Sequence, residues 1–386
     1  MKGVLYVGLA HSAMDFYMAL FPPLLAFFKA YFNLSIVQAS LLPAFSSACG
    51  SFPQPFMGYF SDRRNRLTLA ILALIVTAFA ASSIGFAPSA VILACILAVA
   101  AVGSSLFHPT AGGLVTSINP TRSNFSLALF LTGGSLGMSI APIAGTQIVE
   151  RLGQQFLWIA IFPGLVVILF LLRLDRTEFA PAGGRLAGRV NLALLRTPGL
   201  RPLWVLYAIA VLRSTVGFSF YSFSSLLLTA RGESNASIGW IISAYLLTST
   251  VGRIVGGCVG DHVTPRKLLA FSVVSSTPFL VAFTLFEEPS AFLFLISAGF
   301  FGELCASTNI ILAQRTLPQN VSTATGVVMG LSWGTSGLML PLVGMLAETT
   351  SISVALSYVS LLHLFAALLV MALPASAQDE VEQARV

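Results

Sequence analysis

Apolar residues fill long unbroken stretches of this chain, and charged residues are confined almost entirely to the short turns between them. A helix that crosses a bilayer needs ~20 apolar residues. Twelve stretches reach that length, roughly 3–28, 37–60, 67–87, 90–117, 125–149, 154–172, 202–229, 235–258, 267–286, 289–317, 324–347 and 352–373. The pattern predicts an all-α integral membrane protein with twelve transmembrane helices. The connecting turns are short except for 173–201, which carries Arg173, Arg176, Arg185, Arg189, Arg196 and Arg201 around a Pro-Ala-Gly-Gly run.

Composition agrees with the pattern. The 386 residues are 56% hydrophobic and 9% charged, with a mean hydropathy of +0.89. A soluble chain carries about a quarter charged residues, so lipid must be the solvent for most of this surface. The formal charge of +6 does not point to nucleic acid, because the basic residues sit in separate short loops. Cys49, Cys95, Cys258 and Cys305 lie in apolar stretches with no CxxC spacing. They read as small core residues, and they support neither a disulfide framework nor a zinc site. The first apolar stretch is too long for a signal-peptide core and reads as a retained helix.

Loop charge sets an expected orientation through the positive-inside rule. With the N-terminus inside, all but five of the 20 Lys and Arg residues face the cytoplasm. Lys29, Arg151 and Arg231 fall outside, while Arg213 and Arg253 lie within spans. An even number of spans then puts both termini in the cytoplasm.

The chain also repeats itself. Gly58-Tyr-Phe-Ser-Asp62-Arg63-Arg64-Asn65-Arg66 recurs as Gly257-Cys-Val-Gly-Asp261-His-Val-Thr-Pro-Arg266-Lys267. Gly134-Ser-Leu-Gly137 with Pro142 and Gly145 recurs as Gly334-Thr-Ser-Gly337 with Pro341 and Gly344. Both pairs are offset by 199 to 200 positions. Duplications of this kind place a substrate site near the midplane, between halves that rock around it. Six plus six helices joined by a long basic loop resemble the major facilitator superfamily over nearly the whole chain. The first charged turn matches that family's loop signature, with Asn65 where a glycine is usual, and the second copy is looser. The resemblance implies two pseudo-symmetric six-helix bundles. They would be an N-terminal bundle 1–172 and a C-terminal bundle 202–386, joined by a cytoplasmic linker 173–201.

An ionisable side chain inside the membrane is expensive and marks a functional hypothesis. Asp15 lies midway along span 1, one turn after His11, and Arg213 holds nearly the same repeat position in span 7. His108 is in span 4, Arg253 in span 8, Glu303 in span 10 and His363 in span 12. The facilitator resemblance implies that spans 1, 4, 7 and 10 line the central cavity. Asp15 is read as a proton carrier, since burial and a nearby cation act in opposite senses on a carboxyl. A fixed hydrogen bond to a neighbouring helix is its structural alternative. His11 shares its helix face. Arg213 keeps its charge, so it is a receptor for an anionic substrate or a counter-ion for Asp15 or Glu303. Glu303 is either a second protonatable site or that counter-ion. His108 precedes Pro109, where an interrupted helix can expose polar groups, and its imidazole can bind substrate or relay a proton. Proton coupling is therefore assigned to Asp15, Glu303 and His108, and substrate binding to His11, Asp15, His108, Arg213 and Glu303.

His11-Ser-Ala-Met-Asp15, Ser104-Ser-Leu-Phe-His108-Pro109 and the Gly-Gly-Ser-Leu-Gly run 133–137 are similar to the fosmidomycin-resistance branch of that superfamily. The resemblance implies an inner-membrane drug exporter. That branch typically has a glutamate after the His-Pro element, where this chain has Thr110. Asp62, Arg63, Arg66, Asp261 and Arg266 are read as gating residues that latch the cytoplasmic helix ends; an ordinary solvated basic turn is the alternative. Arg253 is expected to snorkel to the same layer. The span 5 glycines resemble the antiporter motif, whose physical content is close packing with a kink. No glycine run opens a nucleotide-binding unit, so the expected energy source is a proton gradient without a cofactor, and no metal site is expected. The expectation is proton-coupled export of a small organic compound, drug-like or anionic, through the lipid bilayer by a monomer. The alternatives are proton symport of an organic anion or metal chelate, and a membrane-embedded enzyme, for which no nucleophile motif is present.

Overall fold

A computed structural model describes residues 2–61, 63–118, 123–175, 200–260, 262–287, 289–318 and 321–373. Among them the regular structure is helical, and eleven helical stretches are long and apolar enough to cross a membrane. The chain is a multi-pass membrane protein. The first stretch is α1 (Lys2–Ala19) and α2 (Leu25–Tyr31), joined by a 3-10 turn over Pro22–Leu24. The second expected span is present as two shorter helices, α3 (Ile36–Ser51) and α4 (Gln54–Ser61). Pro53 lacks an N–H, so a ladder bond to the Cys49 carbonyl is lost and the span divides there, although Phe52 itself keeps helical geometry. Then follow α5 (Arg66–Ser82), α6 (Ala90–Ile118), α7 (Ser123–Leu152) and α8 (Ile161–Leu171). Side chains cap several starts. Ser35 and Gln38 form a reciprocal capping box on α3, and Asn65 accepts from the Thr68 N–H on α5.

The later stretches are α9 (Arg201–Ala230), α10 (Asn235–Val259) and α11 (Pro265–Leu285). The tenth span is broken into α12 (Ser290–Glu303) and α13 (Ala306–Thr316). The eleventh runs from α14 (Val321–Thr325) through a π-helical turn at Gly326–Leu331 into α15 (Ser332–Thr349). The last is α16 (Ile352–Ser360) with α17 (Leu362–Met371). Two interruptions have a visible cause. The Ala19 carbonyl would normally pair with the N–H of residue 23, which is a proline, and the Tyr221 hydroxyl donates to it instead at 2.7 Å. At the α12–α13 break the Ser272 hydroxyl donates to the Phe301 carbonyl at 2.6 Å and accepts from the Cys305 N–H at 3.3 Å. Phe301 and Cys305 are four residues apart, so one serine stands in the helix's own hydrogen bond.

Packing divides the chain into two compact units. The first comprises Met1–Val190 with Tyr221–Ser243, and the second comprises Asn191–Phe220 with Ala244–Val386. In the first, α1 lies against α7 at close range, because Gly133 and Gly137 face the carbonyls of Gly8 and Ser12 with no room for a Cβ. Tyr17 ties α1 to α8, donating to the Ile161 carbonyl at 3.1 Å and accepting from the Gly164 N–H at 2.9 Å. The segment Tyr221–Ser243 joins this unit through Tyr221, through the Ser243 hydroxyl on the Ile143 N–H, and through Asn235 on Glu150.

The second unit repeats the pairing with different chemistry. Its α9 and α15 are held by Ser336 donating to the Val211 carbonyl at 2.9 Å and by a Tyr207–Thr335 hydroxyl contact at 2.8 Å. Gly252 and Gly256 of α10 meet the carbonyls of Phe300 in α12 and of Leu304 just after its end. Leu203, Leu206, Ile209, Leu269, Val273 and Val370 belong to its apolar core. All four cysteines are free, but only Cys305 is buried. Cys95 and Cys258 are exposed on the protein surface, so the reading of all four as core residues does not hold for them.

Candidate functional site

The ionisable residues singled out within the spanning helices gather into two clusters, one in each unit. The first is built on α1 and α6. His11 and Asp15 are one turn apart on α1, with His11 Nε2 3.2 Å from Asp15 Oδ2. His108, from α6, places Nε2 3.6 Å from Asp15 Oδ1. The other ring nitrogen of His11, Nδ1, donates to the Phe130 carbonyl of α7 at 2.7 Å. A carbonyl can only accept, so this bond fixes a hydrogen on Nδ1. A neutral His11 then offers Asp15 a bare lone pair, and 3.2 Å between two acceptors requires a hydrogen between them. The dyad therefore carries one proton between Nε2 and Oδ2, wherever it resides. Stacking of the Phe130 ring on the imidazole, with centroids 3.9 Å apart, holds the ring plane.

Local sequence explains why this cluster is tight. Gly134 of α7 lies against the dyad, where a Cβ would collide with Asp15 Oδ2 and the His11 ring. The α7 glycines therefore bring α7 close and also leave space for the two side chains. His108 is the most open member, with 26% of its side chain accessible against 6% for His11. The expected interruption at His108-Pro109 is not a break, since α6 runs on as one helix from Ala90 to Ile118. The missing Pro109 N–H costs one ladder bond, and a helix of this length tolerates that loss inside a bundle.

The second cluster is built at the α12–α13 break. Glu303 is the last residue of α12. Arg213 of α9 donates from Nη2 to the Gly302 carbonyl at 3.0 Å and to Glu303 Oε1 at 3.3 Å. Of the two expected counter-ions, then, Glu303 is the one it engages here. Arg253 of α10 grips the other carboxylate oxygen, Oε2, with Nη2 at 2.9 Å and Nε at 3.3 Å. Its expected reach to the charged turn is not what the structure shows, because the side chain is engaged by Glu303. Two guanidiniums on one carboxylate leave the trio with a net positive charge. The Arg213 side chain is 9% accessible and that of Arg253 46%. The buried Nε of Arg213 has no hydrogen-bond partner. Arg213, Tyr245, Glu303 and His363 line a cavity of ≈ 20 Å³, about the size that holds one water. His363 Nδ1 contacts Ser276 Oγ at 2.7 Å, and that hydroxyl donates onward to the Val273 carbonyl. The imidazole is therefore the donor in the first contact.

The gating set is only partly visible. Asp62 and Asp261 lie outside the described residues. Arg63 stacks on the Tyr59 ring at 3.5 Å and donates to the Tyr59 carbonyl at 3.1 Å. Arg66 donates to the Gly113 carbonyl of α6 at 3.2 Å, tying the start of α5 to α6. Arg266 is at the start of α11 with its Nε buried and without a hydrogen-bond partner. Sequence reasoning missed Arg253 as the second clamp on Glu303, the Phe130 carbonyl behind His11, and Ser272 at the break. Arg253 alone left a signal, as a charge placed several residues inside an apolar span.

Comparison with known proteins matches this architecture. The profile of the Major Facilitator Superfamily matches residues 5–234 and 209–385. The fosmidomycin resistance protein of Escherichia coli (strain K12) is 22% identical over 363 residues, covering 90% of this chain and 86% of the relative. A probable nitrate/nitrite transporter, NarK2 of Mycobacterium tuberculosis, is 26% identical over 336 residues, covering 83% and 82%. Among solved structures, a bacterial homologue of the human lysosomal transporter Spinster, inward-facing and occupied, superposes with a TM-score of 0.79 at 17% identity over 96% of this chain and 95% of that one. The nucleoside transporter NupG superposes with a TM-score of 0.81 at 10% identity over 97% and 100%. The fold is that of two-part facilitators, and the matched proteins are transporters rather than enzymes. This chain belongs to the Major Facilitator Superfamily.

Proposed function

We propose that this protein is a secondary active transporter of the bacterial inner membrane. On this reading it exports a small organic compound by alternating access and is driven by the proton gradient. The supporting observation is the first cluster, in which a mid-membrane carboxylate stands between two imidazoles. Every member of that cluster can gain or lose a proton, and Asp15 is the member both histidines address. Asp15 is the principal proton carrier, with His108 as its more accessible partner. Glu303 is the secondary site, held by its arginines. The sequence halves 1–172 and 202–386 are the moving bundles, with both termini cytoplasmic. Asp62, Arg63, Arg66, Asp261 and Arg266 form the cytoplasmic latch. The span 5 glycine run and the likeness to a fosmidomycin resistance protein support the outward direction.

The second cluster supports an anionic substrate. Arg213 and Arg253 exceed Glu303 by one charge, and a monoanion would complete the balance. A probable nitrate/nitrite transporter and a cis,cis-muconate transport protein are among the relatives. That likeness favours the second reading, proton symport of an organic anion. Reconstitution into proteoliposomes with an imposed pH gradient separates the two. Export predicts substrate movement against the direction of proton flow, and symport predicts movement with it. Flux of organic anions that ignores the gradient and survives an uncoupler would sink both.

A further inference from the structure

The His11, Asp15 and His108 cluster has the composition and spacing of a metal site, and we propose that it binds a divalent transition-metal ion of the Zn²⁺ class. One ligand atom from each residue can be chosen so that all three lie within 4.8 Å of one another. Ligands held about 2.1 Å from a tetrahedral or octahedral ion are themselves about 3.0–3.5 Å apart. His11 Nε2 lies 3.2 Å from Asp15 Oδ2 and His108 Nε2 lies 3.6 Å from Asp15 Oδ1, so the carboxylate faces both imidazoles. Closing the triangle on an ion requires His108 to move inward by a few tenths of an ångström or more, and His108 is the most accessible member.

Three features go beyond spacing. Metal-binding imidazoles characteristically donate their second N–H to a carbonyl or carboxylate, which fixes the tautomer and turns the bare nitrogen toward the ion. The His11 Nδ1 bond to the Phe130 carbonyl at 2.7 Å is that arrangement. The Phe130 ring stacked at 3.9 Å fixes the plane. Gly134 leaves beside Asp15 Oδ2 and the His11 ring the space that any larger residue would fill. Metal entry would release the proton held between His11 and Asp15 to solvent. The resulting two neutral imidazoles and one carboxylate suit Zn²⁺, Co²⁺, Ni²⁺ or Cu²⁺ and disfavour Mg²⁺, which prefers an all-oxygen shell. Three protein ligands leave a fourth position open to water or to a donor atom on a cargo molecule.

The experiment is titration calorimetry of the purified full-length chain in detergent with ZnCl₂, repeated with MgCl₂. The expected result is one Zn²⁺ per chain and no heat from Mg²⁺. Affinity should fall in His108→Gln and in Asp15→Asn by more than the about 10–100-fold that loss of an outer hydrogen-bond partner costs. His262→Asn, which removes a loop histidine outside the cluster, should leave binding unchanged. Should Asp15→Asn fail to fold, His108→Gln still tests the site, since it removes only the outermost donor. Co²⁺ should add visible absorption bands of a low-symmetry site that His108→Gln abolishes. Zn²⁺ binding unaffected by His108→Gln, or lost in His262→Asn, would overturn the proposal. Equilibrium binding needs no transport, so a negative result here leaves the transport reading standing, and gradient-independent flux leaves the metal site standing.

Discussion

Asp15 and Glu303 both lie within spanning stretches of this protein, and their neighbours give them opposite characters. Asp15 is addressed by two imidazoles, and Glu303 by two guanidiniums. An imidazole exchanges protons near neutral pH, whereas a guanidinium keeps its charge. The first cluster can therefore change its proton content without a charge being stranded, while the second is a fixed ionic clamp. The clamp also has a mechanical task. Arg213 holds the Gly302 carbonyl at the end of α12, where the helix dipole is negative and Ser272 has opened the backbone. On the proposed reading the duplicated halves divide the work, one handling protons and the other positioning charge.

The largest stability effect should come from Glu303→Gln. It leaves Arg213 and Arg253 without their carboxylate, and breaking such a buried pair costs about 3–5 kcal/mol, reduced here by the accessibility of Arg253. A thermal melt in detergent should show a clear drop, and adding Arg253→Gln should restore part of it. An unchanged melt would mean that the clamp is not structural. Gly134→Ala comes next. Its Cβ has no room beside Asp15 Oδ2 and the His11 ring, so gradient-driven flux should fall sharply. Gly112→Ala, which meets open space, should be tolerated. Equal losses in both would show that the glycine effect is not about the dyad.

Smaller effects should follow at the break and the latch. Ser272→Ala removes one hydroxyl and lets the Cys305 N–H return to the Phe301 carbonyl, so stability should change by only about 1 kcal/mol. Transport should nevertheless drop, because the straightened helix carries Glu303 away from its arginines. Asp62→Asn should lower turnover while leaving substrate affinity within a few-fold, measured by flux and by binding on the same preparation. A loss of affinity like that of a cavity substitution would refute the latch reading.

Much of this architecture was legible in the sequence because it rests on strong signals. Lipid selects long apolar runs, and the Gly134/Gly334 and Asp62/Asp261 correspondences expose the duplication. The buried ionisable residues were also legible, since each interrupts an apolar stretch. Their partners were harder to read. That Arg253 turns to Glu303, and that Arg213 also holds a backbone carbonyl, depends on where α12 ends. That end is set by the hydroxyl of Ser272 on another helix, which no local pattern encodes. The divided second span was foreshadowed by Pro53, yet Pro43, Pro109 and Pro142 lie inside unbroken helices. In a packed bundle a proline's effect depends on whether neighbours can satisfy the carbonyl it frees.

The division of labour is tested most directly by measuring Asp15→Asn and Glu303→Gln side by side in proteoliposomes. Each would be assayed for uptake driven by an imposed pH gradient and for substrate counterflow without one. Asp15→Asn should lose gradient-driven transport and keep counterflow, because the amide preserves shape without exchanging a proton. Glu303→Gln should lose stability and substrate affinity while what flux remains still responds to the gradient. Full gradient-driven transport by Asp15→Asn, with the gradient response lost in Glu303→Gln, would contradict the account and move proton coupling to the second cluster.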